Sequence, residues 1–140
     1  MSTETKLLYT GKVHTTGGRD GGESRSDDGR LQVKHSVPGA PGGGTNPEQL
    51  FAAGWSACFE SAMLLVAGKK KIKLPADLAI DAEVDLLLSH ETGYSLRARL
   101  NVSLPGLDRE AAQAIVDAAD GLCPYSKAIR GNVETKIVLV

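Results

Sequence analysis

The alternation of apolar and polar residues is cleanest in the second half of the chain. Ile80, Ala82, Val84, Leu86 and Leu88 share one face of residues 78–88, and Leu96, Ala98, Leu100, Val102 and Leu104 share one face of residues 94–104. A period of two is that of a half-buried strand. "SHETGYS" between the two runs has the composition of a hairpin loop. Arg97, Arg99 and Asn101 on the opposite face are what a sheet with one wet side carries. The same logic predicts an antiparallel meander at the start. Its parts are a strand in "KLLYTGKVHT" (6–15), a glycine-rich loop "TGGRDGG" (16–22), a turn at Asp27-Asp28-Gly29, and a strand in "RLQVKHSV" (30–37). "PGAPGGG" (38–44) then reads as a flexible connector.

A different pattern follows. Asn46 can cap a helix, Pro47 suits its first position, and Glu48 favours the positive end of the helix dipole. From there to Gly68 the segment is apolar or small on every side, with Leu50, Phe51, Ala52, Ala53, Gly54, Ala57, Ala62, Leu64, Leu65 and Val66. A helix that is apolar all round must be covered all round. In a chain of 140 residues, that points to cover from a second copy. "KKKIK" after Gly68 supplies cations suited to a helix C-terminus; docking of an acidic partner is the less economical reading. Asp108 can cap a second helix through "REAAQAIVDAAD", stopping at Gly121. "CPYSKAIRG" opens a short third helix with Pro124 at its first position, and "ETKIVLV" is a closing strand. The expectation is a single α+β domain spanning residues 1–140.

Composition narrows the function classes. Apolar residues are 41% of the chain, charged residues 24%, and the formal net charge is −1, with no basic face of the kind nucleic-acid binding requires. No uncharged apolar run reaches the ~18 residues that span a bilayer, and "MSTETKLLYTGK" lacks the apolar core of a signal peptide. The expected setting is the cytoplasm, with no membrane and no nucleic acid as partner. In that compartment two cysteines are kept reduced unless they are catalytic. There is no C-x-x-C, and His14, His35 and His90 lie far apart and beside no cysteine, so no metal site is expected. "GWSAC" misses the last glycine of a nucleophile elbow, and "GAPGGGTN" lacks the Gly-Lys-Ser/Thr of a phosphate-binding loop.

That leaves Cys58 and Cys123. A thiol attacks only as thiolate, so the features that lower its pKa decide the question. Cys123 directly precedes Pro124, at the expected start of a helix, where N–H groups favour negative charge. Cys58 allows two readings. In one straight helix it is mid-helix, with no basic residue between Asn46 and Gly68. If Gly54 stops that helix and Ser56 caps a new one, Cys58 falls in a first turn. Free cysteine is also a common small core residue, and composition by itself favours that role.

The combination of "TNPEQLFAAGWSACF" (45–59), "LCPYSKAIRGN" (122–132) and "GGRDGG" resembles the organic hydroperoxide resistance proteins, a subfamily of the OsmC-like group. The resemblance covers essentially the whole chain, and the "CPYSKA" form favours this subfamily over its osmotically inducible relatives. Trp55 stands where another aromatic, often tyrosine, is common. The fold implied has antiparallel sheets wrapped around long buried central helices in an intertwined homodimer, with two active sites at the subunit interface. The roles implied are a peroxidatic Cys58, a resolving Cys123, an Arg19 that activates the thiolate, and a Glu48 that orients Arg19. The reaction implied is reduction of alkyl and fatty-acid hydroperoxides without a bound cofactor. An external dithiol, a dihydrolipoyl group on a lipoylated protein, restores the thiols. Phe51, Trp55 and Phe59 are candidates to line an apolar substrate channel, and core packing is the competing role for each.

Two structural expectations follow. The four glycines around Arg19 and Asp20 predict a loop that is cheap to move and that swings away when Cys58 is oxidised. Glu48 and Cys58, ten residues apart, are separated by about 15 Å along a straight helix. One arginine cannot serve both at close range. Either the helix breaks near Gly54, or the Glu48 and Cys58 of one site come from different subunits. Two rival functions keep part of this pattern. A thiol-disulfide exchanger needs both cysteines but not Arg19, and a non-catalytic dimer binding an apolar ligand needs neither thiol reactive.

Overall fold

The computed structural model describes residues 4–140. The chain divides into two compact units, Met1–Pro47 and Glu48–Val140.

The first unit is the expected meander. Strands β1 (Val13–Thr16), β2 (Glu23–Ser26) and β3 (Gln32–Lys34) pair antiparallel in that order. The turn between β2 and β3 is closed by Asp28, whose carboxylate accepts from the Ser26 hydroxyl at 2.6 Å and the Arg30 N–H at 3.0 Å. Gly29 follows at φ 76°, a left-handed conformation open to glycine at little cost. On the inner side, the Ser24 hydroxyl is hydrogen-bonded to Thr15 at 2.8 Å and to His35 Nε2 at 2.7 Å. The strand expected over 6–15 begins only at Val13; Leu7, Leu8 and Tyr9 are exposed by 82, 91 and 77%. β-Branched and aromatic content favours a strand only where a neighbour completes its ladder. The end of the expected flexible connector is also tied down. Thr45 N–H donates to the Lys34 carbonyl at 2.8 Å and Gly44 N–H to the Ser36 hydroxyl at 2.9 Å.

The second unit contains α1 (Pro47–Lys69), β4 (Ala79–Ser89), β5 (Gly93–Ser103), α2 (Arg109–Leu122), α3 (Pro124–Ile129) and β6 (Glu134–Leu139). β4 and β5 form the predicted hairpin, in a register that sets Asp85 against Arg97 and Glu83 against Arg99. These cross-strand pairs are closed ion pairs on the wet face: Arg97 Nε to Asp85 at 2.9 Å, Arg99 to Asp85 at 2.8 Å and to Glu83 at 2.9 Å. β6 joins β5 in parallel, so this sheet is mixed and not antiparallel throughout. The reason is the connection: a crossover through α2 and α3 returns the chain in the direction of β5, which a tight turn does not.

Ala98, Leu100, Val102, Leu104 and Leu139 make the sheet side of the core. The apolar face of β4 holds from Ile80 to Val84 and then lapses, because Leu86 and Leu88 near the hairpin tip are 45 and 69% exposed. α2 buries Ala112, Ile115, Val116 and Ala119, a stripe at helical spacing. Asp108 caps it as predicted, its side chain accepting from Ala111 N–H at 3.1 Å. Gly121 does not stop α2; the helix runs one residue further, to Leu122.

α1 is long and apolar enough to cross a membrane by length and composition, with a mean hydropathy of 1.6. It is a core helix here: Trp55, Phe59, Ala62, Met63, Val66 and Ala67 are buried in the second unit. Its other side is apolar and exposed, with Leu64 and Leu65 each 52% accessible.

Candidate active site

Cys58 lies in the middle of α1. The helix is continuous from Pro47 to Lys69, so the break expected at Gly54 does not occur. Ser56 starts nothing; its hydroxyl donates to the Ala52 carbonyl at 2.7 Å, the internal hydrogen bond of a mid-helix serine. Gly54 has a different reason to be small. A Cβ there would lie 2.8 Å from the Tyr125 hydroxyl oxygen and 3.1 Å from the adjacent ring carbon. The glycine admits a neighbouring side chain; it does not end a helix.

Cys123 is placed by backbone geometry. It ends α2, its N–H donating to the Ala119 carbonyl at 2.8 Å, and it begins α3, its carbonyl accepting from Lys127 N–H at 3.0 Å. Pro124 occupies the first position of α3, as the sequence predicts. The extended conformation at Cys123 (φ −65°, ψ 121°) turns the chain between the two helices.

The two thiols meet. Both cysteines are free; Cys58 is partly buried and Cys123 fully buried. The Cys58 sulfur is within interaction range of the Cys123 thiol and of the Tyr125 backbone N–H. Burial pushes the Cys58 thiol up, the Tyr125 N–H opposes that, and Cys123 adds to the rise. Within the second unit the net direction is therefore upward, away from the thiolate.

Three aromatic residues and a serine frame this pair. Phe51 stands edge-on to Trp55 and to Tyr125, both at 6.3 Å between ring centroids. Trp55 Nε1 donates to the Ser126 hydroxyl at 3.0 Å. Trp55 and Phe59, candidates for a substrate channel, have no exposed surface and belong to the core; Phe51 is half-buried. Tyr125 and Ser126 were not singled out by the sequence pattern. Their signal was position alone, since they directly follow Cys123-Pro124.

Glu48 lies in the first turn of α1. With no break between them, the straight helix keeps it about 15 Å from Cys58. Arg19 lies in the first unit, in the loop joining β1 to β2. That loop is less free than its glycine content suggests. Gly17, Gly18 and Gly21 have φ of 78, 70 and 84°, and a Cβ on Gly22 would lie 2.2 Å from the Gly18 carbonyl oxygen. The glycines serve a tightly folded backbone. The loop's second leg is held by Gly21 N–H donating to the His35 carbonyl and His35 N–H to that of Gly22, at 3.0 and 2.8 Å. Among the described residues, no group of three or more His, Cys, Asp or Glu is arranged to hold a metal ion.

The OsmC-like protein family matches residues 39–138, which contain both cysteines. The chain belongs to this family. Among its relatives, the organic hydroperoxide resistance protein of Xanthomonas axonopodis pv. citri is 42% identical over 99% of both chains. The organic hydroperoxide resistance protein OhrB of Bacillus subtilis is 45% identical, over 94% of this chain and 98% of its own length. Its crystal structure superposes with a TM-score of 0.88, covering 96% of this chain and all of that one. An organic hydroperoxide resistance protein from Legionella pneumophila has the same TM-score at 45% identity, over 96% of this chain and all of its own.

Proposed function

We propose that this OsmC-like chain is a cysteine-based peroxidase that reduces organic hydroperoxides to alcohols. The observation that carries the reading is the meeting of a partly buried Cys58 thiol with a buried, free Cys123 thiol. The names of its full-length relatives support the substrate class. In the first step the Cys58 thiolate attacks the terminal oxygen of the hydroperoxide. An S–O bond forms, the O–O bond breaks, and the alkoxide leaves to be protonated as the alcohol. Cys58 is left as a sulfenic acid. Cys123 then attacks the Cys58 sulfur, forming the disulfide and releasing water. An external dithiol, a dihydrolipoyl group carried on a lipoylated protein, reduces the disulfide and is itself oxidised. The expected compartment is the cytoplasm.

The working unit in this reading is a homodimer. α1 leaves Leu64 and Leu65 half exposed, and Leu86, Leu88 and Tyr94 at the hairpin tip are exposed as well. Apolar surface of that kind favours association. The unbroken α1 also removes one of the two ways to bring Glu48 and Cys58 into a single site. The reading that follows is that Arg19 and Glu48 of one copy serve Cys58 of another. Arg19 then supplies the cation that Cys58 lacks, favouring the thiolate and stabilising charge on the leaving alkoxide. Phe51 offers apolar surface for an alkyl substrate.

The test is stopped-flow consumption of an alkyl hydroperoxide and of hydrogen peroxide, with dithiol and monothiol reductants compared. The expected result is faster consumption of the alkyl hydroperoxide, sustained by the dithiol. Equal rates for both peroxides overturn the substrate assignment. Turnover of disulfides without peroxide makes the chain a thiol-disulfide exchanger instead.

A further inference from the structure

One polar contact stands out in the core of the second unit. Trp55 has no exposed surface and Ser126 is 4% exposed, and the indole N–H donates to the Ser126 hydroxyl at 3.0 Å. Ser126 is the one buried polar residue among those described in this unit; the other two, Ser24 and His35, lie in the first. The bond's position in the chain is specific. Trp55 is one helical turn before Cys58 on α1, and Ser126 is one turn after Cys123 on α3. The hydrogen bond and the thiol pair thus join the same two elements, about one turn apart. Two contacts beside it bring the elements close. The Tyr125 ring fills the space left by Gly54, and Phe51 meets the same ring edge-on. Apolar packing tolerates small slides, but a directional hydrogen bond in a dry core does not.

We propose that the Trp55–Ser126 hydrogen bond positions Cys123 for the resolving step, holding its sulfur in line with the Cys58 sulfenic acid. The inference rests on the peroxidase reading above. In that step the Cys123 thiol attacks Cys58–S–OH, the S–S bond forms as the S–O bond breaks, and the departing hydroxide leaves with the thiol proton as water. Cys123 sulfur is oxidised and Cys58 sulfur reduced from sulfenic acid to disulfide. The first step does not involve the Cys123 sulfur. The second needs a sulfur on α1 and a sulfur at the α2–α3 junction at bonding range, and small misplacements of reacting atoms cost rate steeply. If Cys123 is slow, a second hydroperoxide converts the waiting sulfenic acid to sulfinic acid, which the dithiol does not recover. The hydrogen bond is therefore also protection against overoxidation.

The test separates the two steps and removes the two partners singly and together. Wild type, Ser126→Ala, Trp55→Phe and the double variant are each reacted with one equivalent of an alkyl hydroperoxide. Sulfenic acid is trapped with a dimedone-type probe, and disulfide and sulfinic acid are counted by intact mass. For Ser126→Ala the first step stays within about twofold of wild type, while disulfide formation slows by about tenfold, the scale of one lost buried hydrogen bond. Sulfinic acid accumulates in excess peroxide in proportion. The double variant distinguishes positioning from stability. With both partners gone no polar group is left unsatisfied, so its thermal stability recovers relative to the sum of the single losses. Its disulfide formation stays as slow as in the single variants. Wild-type resolving rates in Ser126→Ala, or in the double variant, overturn the proposal. Wild-type protein that consumes no alkyl hydroperoxide overturns the peroxidase reading itself, a different and separately visible failure.

Discussion

The two cysteines lie side by side, yet they are held by opposite kinds of structure. Cys58 sits in the middle of an unbroken 23-residue helix, where the backbone is satisfied by its own turns and gives the sulfur no stabilisation. Cys123 sits at a junction between two helices, its conformation set by the end of one and the proline-led start of the other. What Cys58 experiences comes from its neighbours: burial that raises its pKa, a Tyr125 N–H that opposes it, and the second thiol. If Cys58 is the nucleophile of the proposed reaction, a residue placed this way takes its reactivity from the assembly around it. Cys123, the resolving residue of the proposed reaction, takes its position from local backbone rules.

Removing each sulfur in turn separates the two cysteines most sharply. Cys58→Ser is expected to lose alkyl hydroperoxide reduction by on the order of a thousandfold or more. Cys123→Ser is expected to consume one equivalent at near wild-type speed, stall as the sulfenic acid, and fail to sustain turnover with the dithiol. Rapid-mixing consumption assays with mass analysis of the product distinguish these; equal losses in both variants contradict the asymmetry.

The next largest effect tests where the activation of Cys58 comes from. Burial holds the thiol above its ordinary value, so a nearby cation is needed to bring the thiolate into the neutral range. Arg19→Ala removes that cation in the proposed dimer. The expected result is a rate at neutral pH lower by ten- to a hundredfold, roughly the scale of one lost electrostatic contact. The rising limb of the pH–rate profile is expected to move to higher pH. The sign follows from the acid: a raised pKa means less thiolate at any given pH below it. An unshifted limb removes Arg19 from the role of activator and favours the exchanger reading.

A smaller effect tests the approach of the two elements. Gly54→Ala places a methyl 2.8 Å from the Tyr125 hydroxyl oxygen, so the ring must move. The ordinary helix gain of alanine over glycine, about 1 kcal/mol, is expected to be offset by displaced packing, with disulfide formation slowed. Thermal melting together with sulfenic acid lifetime reads both. A variant that is stabilised, with an unchanged lifetime, shows that Tyr125 yields freely.

The smallest expected effect lies away from both cysteines. Asp85 is pulled down to about 2 by Arg99, and then by Arg97, on the wet face of the hairpin. A depressed carboxylate pKa gives stability that is present above the ordinary carboxylate value and is lost as pH falls toward 2. Asp85→Asn is expected to raise the pH of acid unfolding slightly, since exposed ion pairs contribute little, and to leave peroxidase activity unchanged. An altered activity would connect the hairpin to the site.

Much of this architecture is visible in single residues of the sequence. Asp108 and Pro124 mark helix starts that the structure reproduces, and the alternation from Leu96 to Leu104 gives both the strand and its buried face. The readings that failed share a cause. Gly54 and Ser56 look like a stop and a cap, because locally glycine and serine favour those roles. Tertiary contact with Tyr125 gives Gly54 its purpose, and the helix passes through. The strand over 6–15 starts late because pairing, not composition, makes a strand. Nothing in the local sequence around Tyr125 and Ser126 shows that they touch residues 54, 55 and 58.

The family and most of the order of the elements are legible in the sequence, and Cys58 and Cys123 stand out in it as candidates, because caps, periods and residue type act over a few neighbouring positions. Packing of the whole core is what sets β6 parallel to β5, carries α1 straight through Gly54, and brings the two thiols within interaction range beside a buried hydrogen bond. The contacts involved join positions far apart in the chain: Trp55 and Ser126 are 71 positions apart, and Arg97 and Glu134 are 37 apart. Contacts at such separations are selected by the packing of the whole core, on which local propensity is silent.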